Sequence, residues 1–247
     1  MVEREHRAAV TLYVGDGFSA GQSLELPEGP AHHVRVRRVV QGDAVRLLDG
    51  RGSIADGVVE AFTKRRVTVR VGTVGHVDAP PPLHLLVPVA DRDRMLFAAE
   101  KCTELRVTSW RPVLWARSRS VSPRGEGDKF REKVVARMVA ALEQSGSAWL
   151  PESLPEMQPS EALAVPSVEA ARVLLNATGA PLLSMTSAGS MTIAVGPEGG
   201  FEPAELELAT TLGWRTAALG SSVLRFETAL IAATAVIRAQ QHQSGNG

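Results

Sequence analysis

A single cysteine, Cys102, stands in the chain, which excludes an internal disulfide and suits a reducing compartment. The six histidines show no metal-ligand spacing; His32-His33 is the only cluster, and adjacent histidines alone make a poor zinc site. No metal is expected. No apolar run approaches the length of a bilayer span, and the charged start Met1-Val2-Glu3-Arg4-Glu5-His6-Arg7 is not followed by a signal-peptide core. The expectation is a cytoplasmic protein with no membrane attachment. Net charge is absent as well, since 27 Lys and Arg balance 27 Asp and Glu. What is present, 44% hydrophobic and 22% charged residues over 247 positions, marks a folded chain of one large domain or two ordinary ones.

The balanced total hides an asymmetry. From Arg92 to Arg137 there are twelve Lys and Arg against six Asp and Glu, an excess of six. From Met138 to Gly247 there are four Arg and ten acids, a deficit of six. A phosphate backbone responds to a local basic face rather than to the total, so a nucleic-acid partner stays open. A solvated helix face balanced by its neighbours is the other reading.

Residues 11–75 read as short strands. Thr11–Val14, Ala44–Leu48, Ile54–Val59 and Arg66–Val71 are β-rich and separated by turn signals such as Gly42-Asp43, Asp49-Gly50 and Arg51-Gly52. That spacing suggests a small barrel over residues 1–77. The stiff linker Asp78-Ala79-Pro80-Pro81-Pro82 follows, and a second domain is expected over 83–247. Leu83–Val89 is a continuous apolar strand of the kind buried on both faces of a parallel sheet. Helices are predicted over 91–105 and 129–145, and strands over Ala171–Leu175, Met191–Val195 and Arg215–Leu219 alternate with helical stretches. The pattern implies an α/β domain with a mainly parallel sheet, ending in a polar tail after Gln240 that frays.

Two strand-to-helix turns carry the chemistry. Met191–Val195 runs into Gly196-Pro197-Glu198-Gly199-Gly200, then Phe201-Glu202-Pro203, with proline near the first helical turn and acids at the helix start. Ligands of open α/β sheets sit beyond the carboxyl ends of strands, where glycine lets backbone come close. Glu198 and Glu202 argue against a phosphate cradle and permit a cationic ligand such as a sulfonium; a tight connection with no ligand is the alternative. Downstream, Leu219-Gly220 and then Leu224-Arg225-Phe226-Glu227-Thr228-Ala229 open a long apolar helix, which Glu227 or Thr228 caps. Arg225 either serves the site or pairs with Glu227.

These blocks stand in an order that includes three others: His32-His33-Val34-Arg35-Val36-Arg37-Arg38, Glu100-Lys101-Cys102-Thr103-Glu104-Leu105 and Glu143-Gln144-Ser145. Together they resemble the 16S ribosomal RNA uracil-N3 methyltransferases, of the SPOUT class of knotted methyltransferases, over nearly the whole chain. The resemblance implies a PUA-like β-barrel for RNA, then a SPOUT α/β domain with a C-terminal trefoil knot, a homodimer, and S-adenosylmethionine as cofactor. It puts the cofactor on Gly196, Pro197, Glu198, Gly199, Gly200, Leu219, Gly220, Leu224 and Arg225. Four positions depart from the family: Arg106 stands for the usual Gly, Ser147 for Arg, Ser221-Ser222 for Pro-Arg, and Phe226 for Thr.

The expected activity is methylation of N3 of a uridine in 16S ribosomal RNA of the small subunit. Arg225 is the expected catalytic cation, with Glu198 orienting substrate or cofactor. His33, Arg35, Arg37, Arg38, Arg117, Arg119 and Arg131 are the expected RNA contacts, with Lys129 and Lys133 beside them. The departures leave open an inactive RNA-binding assembly factor, or a SPOUT enzyme acting on transfer RNA or a ribose 2′-hydroxyl.

Overall fold

The structure is a computed structural model that describes residues 8–63, 66–120, 124–165, 171–185 and 189–244. The chain divides into two compact units, Met1–Ala79 with Val139–Leu150, and Pro80–Met138 with Pro151–Gly247. No linker composition marks the inclusion of 139–150 in the first unit.

In the first unit, β1 (Val10–Tyr13), β2 (Ser23–Glu25), β3 (Ala44–Leu48), β4 (Ser53–Phe62) and β5 (Val67–His76) form one sheet in the order β1-β3-β4-β5-β2. β1 lies parallel to β3 and every other pairing is antiparallel. Alternation selects the buried face: on β5, Val67, Val69 and Val71 join the core while Arg70 is exposed. The Asp49 carboxylate accepts the amides of Arg51 at 2.7 Å and Ser53 at 2.9 Å, closing the β3–β4 turn that its sequence announces.

The strands-only reading of 11–75 is corrected in one place. α1 (Glu28–Val36) begins behind Pro27 and carries the histidine–arginine block. Only Ala31 and Val34 of its nine residues are buried, so its helical period is too brief to stand out in the sequence.

In the second unit, six parallel strands form a sheet in the order β11-β9-β10-β6-β7-β8. They are β6 (Leu83–Pro88), β7 (Ser109–Val113), β8 (Glu152–Ser153), β9 (Ala171–Pro181), β10 (Met191–Ala194) and β11 (Arg215–Ala218). The helices are α2 (Arg92–Glu104), α4 (Pro159–Ala164), α5 (Pro203–Thr211) and α6 (Phe226–Ser244); α3 (Asp128–Ser145) runs through the division at Met138. Among the described residues no helix is long and apolar enough to cross a membrane.

α2 starts and stops for identifiable reasons. Asp91 accepts the amides of Asp93 and Arg94, each at 3.1 Å. At the far end Arg106 adopts φ 57°, with its amide on Thr103 O at 2.9 Å and that of Val107 on Cys102 O at 3.2 Å. This is a Schellman closure, whose left-handed position suits glycine. Arg238 of α6 caps the same end, donating to Leu105 O and Arg106 O, with its pKa lowered to about 10 by burial and the Arg106 charge. Replacing Arg106 by glycine removes both the left-handed strain and that repulsion. Arg106→Gly is expected to stabilise the protein by about 1 kcal/mol. A thermal melt is expected to shift up by roughly 2–4 °C; a lower melting temperature contradicts this account of the cap.

α6 packs against α2 and extends further than its sequence suggests. The frayed tail expected after Gln240 is helical to Ser244, because Gln241 is buried, donates to Gly189 O at 2.9 Å and accepts from Arg238. The expected caps Glu227 and Thr228 lie inside the helix, which begins at Phe226.

Candidate functional site

β10 and β11 both pair with β9, so the turns that follow them leave the same edge of the sheet on either side of one strand. Between them lies a cavity of about 320 Å3, within the range of small-molecule sites. Gly196, Pro197, Glu198, Gly199 and Gly200 line it from the first turn, and Leu219, Gly220 and Leu224 from the second. Arg225 is not among the lining residues, although its neighbours Leu224 and Phe226 are. Sequence reasoning missed Asn176 and Ala177 on β9, because the strand was expected to stop at Leu175 and strand order alone reveals that β9 floors the site.

The walls are mostly apolar, from Val195, Phe201, Ala217 and Leu224, with Asn176, Glu198 and Ser222 as polar side chains. At Gly196 an added Cβ would stand 3.0 Å from the Phe201 ring, which itself packs edge-on against Trp115 at 4.8 Å. At Gly220 an added Cβ would meet no protein atom within 4 Å; it would enter space at the cavity wall. At Gly199 the added Cβ would face the Arg117 side chain, 3.0 Å from its Cδ. Gly200 holds φ +72°, a conformation that disfavours other residues. A small molecule with apolar and polar groups fits such walls.

Each of the two acids of the first turn has an arginine partner. Glu198 accepts from Arg94, in the first turn of α2. Glu202 accepts from Arg117 Nε at 2.8 Å, and Arg117 Nη1 also donates to the Gly199 carbonyl. Glu202 further forms a capping box with the buried Glu205, whose carboxylate accepts the amides of Glu202 at 2.8 Å and Ala116 at 2.9 Å. The acids that permit a cationic ligand on sequence grounds thus each have an arginine partner, and Glu198 also lines the cavity.

Arg225 is exposed and, among the described residues, its guanidinium makes no ion pair or hydrogen bond. Glu227 is buried and its Oε2 has no partner among the described residues. The Arg225–Glu227 pair considered as an alternative is therefore absent.

The expected RNA residues divide into groups. His33 Nδ1 lies 3.2 Å from Glu143, which also accepts the amide of Tyr13 at 2.9 Å, so the histidine block and the Glu143-Gln144 block meet in the first unit. Arg37 donates to His33 at 3.3 Å and is exposed, as is Arg38; Arg35 is half-buried. Arg117 sits on the glycine turn, and the side chain of Arg119 lies outside the described residues. Arg131 pairs with Asp128 at 3.3 Å, and Lys129 and Lys133 are exposed.

Residues 78–238 match the model of the RNA methyltransferase domain, and residues 26–72 that of the RNA methyltransferase PUA domain. The chain belongs to the RNA methyltransferase family, with a PUA-like N-terminal domain ahead of a SPOUT-type α/β domain. Within that family it is a member of the group that includes the ribosomal RNA small subunit methyltransferases E. The one from Rickettsia conorii is 27% identical, with 92% of this chain and 94% of that protein covered. The crystal structure of the one from Neisseria gonorrhoeae, bound to S-adenosyl methionine, is 28% identical with a TM-score of 0.86, covering 94% of this chain and 97% of the other. A methyltransferase from Legionella pneumophila in complex with its bound cofactor SAM gives a TM-score of 0.85 at 26% identity, with 95% and 98% covered.

Proposed function

We propose that the protein uses S-adenosylmethionine to methylate N3 of a uridine in 16S ribosomal RNA of the small subunit, in the cytoplasm. The observation that carries this reading is the convergence of the two glycine turns on one cavity, with Arg225, which has no side-chain partner among the described residues, next in sequence to the lining residues Leu224 and Phe226. S-adenosylmethionine, when bound, supplies an electrophilic methyl group. Gly196, Pro197, Glu198, Gly199, Gly200, Leu219, Gly220 and Leu224 would hold it, together with Asn176 and Phe201. Arg225 acts on the uracil. Loss of the N3 proton to solvent places negative charge on the flanking carbonyl oxygens, and a guanidinium brought beside them stabilises that charge as it develops. Arg37, Arg38, Lys129 and Lys133, all exposed, supply phosphate contacts.

The reading includes two features of the family. The C-terminal knot is what the resemblance implies, and it would involve α6, which follows the edge strand β11 and packs on α2. A homodimer is supported by the second face of α6: Leu230, Ala233 and Ile237 are buried within the unit, while Ile231, Ala232, Ala235 and Val236 are only partly covered or exposed. Light scattering is expected to give twice the monomer mass at micromolar concentration; a monomer there refutes the dimer.

The activity is tested by incubating the protein with small subunits and S-adenosylmethionine labelled in its methyl group. Label is expected in the 16S RNA. Bound cofactor without transfer would support the inactive assembly factor and overturn the proposal.

A further inference from the structure

We propose that Arg94 and Arg117 are positioning residues that latch the Gly196–Glu202 turn in its cofactor-binding shape, and that they do not serve as RNA ligands. The inference rests on the reading of the adjoining cavity as the cofactor site.

The turn holds three glycines, and fixing each backbone residue costs about 1–2 kcal/mol. A turn that is already fixed spares the ligand that cost on binding. The contacts made by the two arginines brace this one: Arg94 to Glu198, Arg117 to Glu202, and Arg117 to the Gly199 carbonyl. The Arg117 fork meets a carboxylate and a carbonyl at once, which a lysine ammonium on a flexible stem reproduces poorly. Its aliphatic stem also packs where Gly199 lacks a side chain, at 3.0 Å and 3.3 Å from the position of an added Cβ. The short helical turn Ala116–Ser120 that carries it is tied to the same segment through Ala116 N on Glu205 at 2.9 Å and through the Trp115–Phe201 ring contact beside it.

Exposure separates local from global consequences. The paired side chains keep between 35% and 56% of their surface, so the ion pairs add little to the stability of the whole protein. Their effect falls on the turn they hold. Engagement with Glu198 and Glu202 also removes both arginines from phosphate binding, because an RNA backbone would have to break each pair first. The local excess of positive charge is correspondingly smaller on the folded protein than in the sequence.

The test uses the full-length protein with Arg94→Ala, Arg117→Ala, the double variant and Arg117→Lys. Calorimetry with S-adenosylmethionine is expected to give a Kd raised about tenfold in each single alanine variant and more in the double. Arg117→Lys is expected to fall between wild type and Arg117→Ala. KM for the cofactor should rise while kcat at saturation stays within about threefold. The salt dependence of RNA affinity should be unchanged; a log–log slope reduced by about one per arginine would assign them to the phosphate backbone and overturn the latch. Hydrogen exchange of amides 198–202 without ligand is expected to quicken in the double variant, and unchanged exchange also overturns it. If the wild type binds no S-adenosylmethionine, the functional reading fails while the exchange experiment still decides the latch.

Discussion

Arg225→Ala is expected to lower the single-turnover rate of methylation by roughly a hundred- to a thousandfold, the usual consequence of losing one preorganised donor to a developing oxyanion. Cofactor affinity should change little, because Arg225 does not line the cavity that Leu224 and Phe226 help to form. Stability should change little as well, since the side chain is exposed and has no partner among the described residues. A structural role would behave differently, with the melting temperature falling and activity following it. The melting curve and the single-turnover rate, taken on the same preparation, separate the two. A folded Arg225→Ala protein that methylates at a near-normal rate removes Arg225 from the mechanism.

Gly220→Val is expected to weaken S-adenosylmethionine binding about a hundredfold, equivalent to roughly 2.7 kcal/mol. The position is informative because the fold itself has no use for the missing side chain: a Cβ there meets no protein atom within 4 Å, and its φ is not left-handed. The new methyl groups would occupy space at the cavity wall, so ligand and side chain compete while the apo protein melts as before. Gly196→Val has a mixed effect, since its Cβ presses on the Phe201 ring at 3.0 Å and costs stability as well as affinity. Gly199→Val displaces the Arg117 stem first, and so reports on the latch. Calorimetry that finds unchanged affinity in Gly220→Val places the ligand elsewhere.

Much of the second unit was legible in the sequence because its signals are local. Leu83–Pro88 is apolar at every position but His84, Asp91 caps α2 one residue before the helix, and the glycine turns follow their strands directly. Arg106 was visible only as a departure from the family, and its φ of 57° gives that departure a physical meaning. What stayed hidden depends on distant residues. α1 buries two side chains in nine, too few to set a period. β7 carries Pro112 and mixed polarity and left no pattern, although it pairs with β6 over five residues. The glutamates of the first turn pointed to a cation, but the arginines that answer them lie 104 and 85 residues away. Asn176 enters the site only because β9 lies between β10 and β11.

The account is tested most directly by nucleoside mass spectrometry of 16S RNA from small subunits treated with the protein and S-adenosylmethionine, beside untreated subunits that lack the modification. The expected result is one new 3-methyluridine, present in the treated RNA, absent from the control and absent when Arg225→Ala replaces the wild type. A methyl group on a ribose 2′-hydroxyl or another base, or no methyl group despite bound cofactor, contradicts it.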